Sequence, residues 1–145
     1  TRTPSSAASD VYKRQGNVIF FDKGSGGGGT SYDRINKTGT VADWEGWHHW
    51  AFTANAVTGN MRIYRDGILY HYGNGKTKTF LNVTGNRRRI GQWHTTGGYH
   101  RGYISNMQIY KKQLSQAEVT HNFDAMKGRF EQRPLILSGV SYSLT

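Results

Sequence analysis

Two strand-like runs joined by the dipeptide Asp66-Gly67 constrain this chain more than any other feature. Before the turn stands Met61-Arg62-Ile63-Tyr64-Arg65, and after it Ile68-Leu69-Tyr70-His71-Tyr72. An Asp-Gly pair between β-branched and aromatic residues specifies a two-residue hairpin, because glycine accepts the positive φ of a type I′ turn. A third run, Trp47-His48-His49-Trp50-Ala51-Phe52-Thr53-Ala54, precedes them. Side chains on a strand alternate faces. Trp47, His49, Ala51 and Thr53 therefore share one face, and His48, Trp50 and Phe52 the other. Bulk on both faces predicts an interior strand covered on both sides.

The rest of the chain repeats this pattern of short strands and turns. At 145 residues it suits one domain with one core. Its 19 glycines and 13% aromatic content favour strands and tight turns over a helical bundle. Val18-Ile19-Phe20-Phe21 reads as a buried strand, and residues 31–36 as a weaker one. Between them, the glycine-rich stretch 24–29 reads as a rim loop. Asn74-Gly75 and Gly85-Asn86 mark turns around a strand at 79–83, and 88–93 is strand-like. Residues 100–110 read as a long strand with a phase break, so a bulge is expected near Ser105-Asn106. Ser115-Gln116-Ala117-Glu118 is a capping box that opens a helix. Val119, Phe123 and Met126 recur at helical spacing, and Gly128 is expected as its C′ stop.

Four of these segments together resemble the laminin G-like, concanavalin A-like lectin/glucanase family. They are the Trp-His-His-x-Ala-x-Thr strand at 47–53, the Tyr-x-Asp-Gly hairpin at 64–67, the Gly-x-Ile-Ser-Asn-x-x-Ile-Tyr strand at 102–110, and Leu-Ser-x-x-Glu at 114–118. The resemblance spans about residues 16–130. It implies an all-β jelly-roll β-sandwich of two antiparallel sheets with one short C-terminal helix. It also implies binding of glycans or proteins through rim loops, often with Ca²⁺. Family domains usually carry more strands ahead of the one at 18–21. Residues 1–15 look instead like the translation of a sequencing-library adapter, a scar on an environmental gene fragment to be set aside from fold reasoning. Residues 131–145 lie beyond the resemblance as a tail or extra strand.

Several functions are set aside by residue type. With no cysteine, the chain has no disulfide, thiolate zinc site or cysteine nucleophile. No apolar run approaches the roughly 18 residues that span a bilayer, and no signal-peptide core is visible. The net charge of +10 invites nucleic acid. Its basic residues are mostly scattered, however, and no nucleic-acid module is recognised, so that partner is not expected. His48 and His49 point to opposite faces and cannot chelate one ion. His94 and His100 flank a glycine-rich loop but lack a nearby acid. Retaining glycoside cleavage needs two carboxyl groups about 5 Å apart, and none of Glu45, Glu118 and Glu131 has an acid two positions away on an evident strand. An enzyme is not expected.

Sugar binding needs flat apolar faces for C–H stacking and polar groups for hydroxyls. Trp93, His94, Tyr99 and His100 in one loop, with Arg101 following, have that composition. Tyr72 and Asn74 offer it at a second turn, and Asp43-Trp44 at a third. Arg87 and Arg89 share a face and, with Lys76, Lys78 and Arg101, suit an anionic glycan. Asp33 and Asp43 are the loop carboxylates a Ca²⁺ ion would use, but acids are few and no cofactor is expected. The expected function is a non-catalytic, lectin-like module, extracellular or virion-associated, for a carbohydrate or cell-surface glycan. The alternative is a structural or adhesion domain of a larger secreted or virion protein, contacting other such proteins.

Overall fold

The computed structural model describes residues 17–24, 32–79, 90–94, 97–100 and 102–130, with the backbone alone at 92–94 and 97–99. Strands β1 (Val18–Gly24) and β2 (Tyr32–Thr38) form an antiparallel pair in which Phe21 lies opposite Ile35. Strands β3 (Trp50–Asn55), β4 (Asn60–Arg65) and β5 (Ile68–Gly73) form a second antiparallel sheet in that order. A small ribbon of β6 (Gln92–His94) and β7 (Gly97–Tyr99) follows, then helix α1 (Gln116–Lys127).

The turns form for the reasons the residues dictate. Asn55 Oδ1 accepts from the amides of Val57 and Thr58 at 2.9 and 3.1 Å, an Asx turn that closes β3 onto β4. At the next turn Asp66 and Gly67 both adopt positive φ, +52° and +78°, as a type I′ hairpin requires.

Alternation along the strands decides what each face covers. Met61 and Ile63 of β4 are fully buried against Ile19, Ile35 and Trp44, which join the β1–β2 pair to the central sheet. Burying such a side chain contributes about 1.5–3 kcal/mol. The pair sits so close to β5 that a Cβ on Gly73 would lie 2.4 Å from Ile35 Cγ2. Tyr64, of opposite parity, faces Leu114 and Val119 with Ala51 beside them. The central sheet is thus covered by strands on one face and by the helix on the other. The two faces of residues 47–53 agree with this, but β3 lies at the edge of the described sheet rather than inside it, β4 being the central strand. His49 meets Phe123 of α1, while Trp50 stacks on Trp44 and Phe52 meets Phe21 at a tilt.

The helix begins as expected. Ser115 Oγ accepts from the Glu118 amide at 3.3 Å, and the Glu118 carboxylate accepts from the Ser115 amide at 2.8 Å. Thr120 Oγ1 and Gln116 Nε2 then donate to the Gly67 carbonyl at 2.8 and 2.5 Å, so the first helical turn is bonded to the hairpin.

Several expectations need correction. β3 starts at Trp50 rather than Trp47, because Asp66 captures the preceding backbone. His49 N donates to Asp66 Oδ1, and Asp66 N donates to His49 O. Residues 103–110 form no strand and lie exposed. The bulge falls between Ile63 and Tyr64 of β4 instead of near Ser105. β2 runs to Thr38, past the expected end at Asn36. Gly128 has φ −61° and continues the right-handed turn, so it is not a left-handed stop. Thr79 is in no strand, and the rest of the strand expected at 79–83 lies outside the described residues, as do residues 88–89 and most of the glycine-rich loop. Among the described residues, no helix is long and apolar enough to cross a membrane.

Candidate functional site

The three-stranded sheet sets Thr53, Arg62 and Tyr72 directly opposite one another across β3, β4 and β5. Directly paired residues share a face, with Cβ atoms about 4.5–5.5 Å apart. Tyr72 is 56% exposed, and Asn74, just past the end of β5, is exposed too. In the same row, the Arg62 Nη1 and Thr53 Oγ1 atoms are buried with no hydrogen-bond partner. A buried polar group left unpaired costs about 1–3 kcal/mol. The row therefore combines a flat exposed ring, a guanidinium with an unused donor, a hydroxyl and a nearby amide.

A second cluster lies on the other side of β5. Trp44 and Trp50 stack with centroids 5.4 Å apart, and Tyr70 meets Trp50 edge-on at 5.5 Å. Lys37 Nζ sits 3.9 Å above the Tyr70 ring and donates to the Tyr70 carbonyl at 3.0 Å. Burial raises the Tyr70 hydroxyl above the usual phenol range, with Asp43 adding to it. Arg65 bonds the Asp43 carboxylate at 2.5 Å. The Thr40 amide is the main reason the Asp43 carboxyl lies below the ordinary aspartate range, Arg65 acting in the same direction. His48 bridges Asp66 Oδ2, 2.7 Å from Nδ1, and the Glu45 carbonyl, 2.9 Å from Nε2. For Asp66, burial acts to raise the carboxyl, but bonds from His48 and the His49 amide outweigh it and lower the group. This network ties the loop at 39–49 to the hairpin, and its acids are committed to protein partners.

Asp33 is committed as well. It accepts from the Lys78 amide at 2.8 Å and lies 3.9 Å from the Lys23 ammonium. Lys23 is fully buried and donates to the Lys76 carbonyl at 2.6 Å. Burial pushes this ammonium below the ordinary lysine range, opposed by Asp33. Lys76 and Lys78 thus belong to a segment pinned along β1 and β2. Among the described residues, no three His, Asp or Glu side chains gather where they could hold an ion.

Of the residues expected at a binding site, Tyr72 and Asn74 are placed together at the end of β5. Trp93 and His94 fall in β6 and Tyr99 in β7, where the backbone alone is described. His100 donates its amide to the Gly91 carbonyl at 2.7 Å beside that ribbon. Arg87, Arg89 and Arg101 lie outside the described residues. Sequence reasoning missed Thr53 and Arg62. No local signal pairs Arg62 with Tyr72: the Asp66-Gly67 turn with plain alternation sets Arg62 opposite His71, and only the register shift between Ile63 and Tyr64 brings Tyr72 opposite Arg62.

Antiparallel sheets with one α-helix among the described residues define a β-sandwich domain. The chain matches a laminin G family model described as Concanavalin A-like lectin/glucanases superfamily over residues 6–120, and it belongs to that family. No curated protein matches it. Among solved structures it is similar to an S-layer domain-containing protein from Clostridium thermocellum, at 21% identity and a TM-score of 0.46. That alignment covers 73% of this chain and 51% of the other, so this chain spans about half of that one.

Proposed function

We propose that this domain is a non-catalytic carbohydrate-recognition module. The observation that carries the reading is the Thr53–Arg62–Tyr72 row, an exposed ring beside a guanidinium whose Nη1 has no protein acceptor. Sugar C–H groups stack on such a ring, and ring hydroxyls take the donors around it. A guanidinium is best matched by a planar or tetrahedral oxyanion, so a uronic acid or sulfated glycan is the favoured class. In this reading Trp93, His94, Tyr99, His100, Arg87, Arg89 and Arg101 add stacking surface and positive charge along a longer glycan. No cofactor takes part, and the domain works outside the cell or on a virion surface.

A glycan array at two salt concentrations tests this. Acidic glycans are expected to bind and to weaken as salt screens the charge. Tyr72→Ala and Arg62→Gln should each reduce affinity about tenfold, equivalent to about 1.4 kcal/mol. Salt-insensitive binding to neutral sugars would remove the anionic part. Failure to bind any glycan would sink the reading in favour of a structural or adhesion role.

A further inference from the structure

One dipeptide just past the end of β5 leaves an asparagine chemically open. Asn74-Gly75 is the single Asn-Gly pair in the chain, and every other asparagine precedes a residue with a side chain. Both residues are exposed. Gly75 has φ +67°, and nothing lies within 4 Å of its Cβ position. Among the described residues, the Asn74 carboxamide is in no hydrogen bond and the Gly75 amide has no backbone acceptor. A side chain on the following residue normally shields that residue's amide nitrogen from the carboxamide before it, and glycine has none.

Comparable positions are closed by their partners. Gly67 also has positive φ and follows an acid, but the Asp66 carboxylate is held by His48 Nδ1 at 2.7 Å and by the His49 amide at 3.0 Å. An ionised, bonded carboxylate is a poor electrophile, whereas a free carboxamide is neutral at carbon and can be attacked. Asn55 is fixed as well, since its Oδ1 accepts from the amides of Val57 and Thr58.

We propose that Asn74 is a self-modification site that converts to aspartate and isoaspartate, with water as the only co-reactant. The Gly75 amide nitrogen attacks Asn74 Cγ. An N–Cγ bond forms, the Cγ–Nδ2 bond breaks, and Nδ2 leaves as ammonia with the proton from the Gly75 nitrogen. Water then opens the five-membered imide. Opening at Cγ gives aspartate. Opening at the main-chain carbonyl gives isoaspartate, whose backbone runs through Cγ and is one methylene longer. Nothing is oxidised or reduced. Either product puts a carboxylate two residues beyond Tyr72, beside the row proposed to bind an acidic glycan, and so weakens that site; this consequence rests on the glycan reading, and the chemistry does not. The isoaspartyl product also lengthens the chain between two anchors. Gly73 has no room for a Cβ beside Ile35, and Lys76 donates its amide to the Gly59 carbonyl at 2.8 Å.

The test ages the whole chain in neutral buffer at body temperature. Peptide mass spectrometry reads the exchange of NH for O at Asn74, and an isoaspartate-specific carboxyl methyltransferase reads the isomer. Conversion is expected at Asn74 and not at Asp66, at a rate within about tenfold of that in the urea-unfolded chain, because an exposed segment opens at little cost. Asn74→Gln should keep its mass over the same period, since its ring would need six members. Lys76 amide exchange should quicken in the isoaspartyl fraction and stay unchanged in Asn74→Asp. Binding of a heparin oligosaccharide at low salt should weaken about threefold in Asn74→Asp, the size of one exposed charge pair, and the difference should fade as salt screens it. The proposal is overturned by native conversion more than about tenfold slower than in the unfolded chain, or by isoaspartate arising equally at Asp66. Equal low-salt affinity of Asn74→Asp and fresh protein would overturn the effect on the site. A fresh chain that binds no glycan would sink the glycan reading alone, because mass still reports Asn74.

Discussion

Replacing Gly67 by alanine tests how the hairpin and the helix are joined. The residue has φ +78°, a region that costs an L-residue about 1–2 kcal/mol. An added Cβ would also stand 3.1 Å from Phe123 Cδ1, 3.3 Å from Phe123 Cβ and 3.3 Å from Thr120 Cα. The helix cannot simply withdraw, because Thr120 Oγ1 and Gln116 Nε2 both bond the Gly67 carbonyl. Crowding of this kind adds roughly 1–3 kcal/mol. Gly75 is the control: its φ is +67°, but nothing lies within 4 Å of its Cβ position. Gly75→Ala should therefore show the backbone cost alone. With a urea m-value of about 2 kcal/mol/M, Gly67→Ala should lower the unfolding midpoint by about 1–2.5 M and Gly75→Ala by about 0.5–1 M. Combining Gly67→Ala with Phe123→Ala should cost less than the two singles added, by about 0.5 kcal/mol or more. Equal midpoints for Gly67→Ala and Gly75→Ala would refute the docking of α1 on this turn.

The remaining predictions concern the cap, the acids and the turn. Ser115→Ala should cost about 1 kcal/mol in denaturant unfolding by removing the N-cap acceptor, and an unchanged midpoint would count against the capping box. Glu118 is held at about 2 by Lys112 and the Ser115 amide, against an ordinary value of 4.5. A depressed carboxyl stabilises the fold fully above its unfolded value and loses that contribution as pH falls through its folded one. Asp43 and Asp66, both lowered from 3.8, act in the same direction. Burial also lowers His49 and His71 from 6.5, so unfolding midpoints should begin to fall below about pH 6.5 and fall further from pH 4.5 towards pH 2, and Glu118→Gln should make the lower part of that fall shallower. Asp66→Ala should destabilise more than Asp66→Asn by about 1 kcal/mol, because asparagine tolerates positive φ and keeps an acceptor for the His49 amide. Equal thermal unfolding of the two variants would contradict that role.

The parts of the fold legible in the sequence were those set by neighbours along the chain. Asp66-Gly67 specifies its turn through its own φ values, and Ser115 and Glu118 bond each other within one helical turn. Alternation in 47–53 assigned side chains to the right faces even though the strand began three residues late. That error has a tertiary cause. Asp66 reaches back to the His49 amide, and no local pattern announces that a turn residue will compete for a strand's backbone. The 100–110 segment shows the opposite failure. Its residue types favour a strand, but a strand also needs a neighbour, and a neighbour is not a property of the segment.

The candidate site divides along the same line. Tyr72 and Asn74 were visible as an aromatic and an amide near a turn. Arg62 was hidden as one arginine among many, because the irregularity between Ile63 and Tyr64 that sets it opposite Tyr72 has no local signal. Hydrogen-bonding groups are normally paired on folding, and departures concentrate where another molecule completes them. If the glycan reading holds, Tyr72→Ala should weaken glycan binding about tenfold and leave thermal unfolding unchanged, because the ring is 56% exposed. Unweakened binding by that variant would take the row on β4 and β5 out of the site.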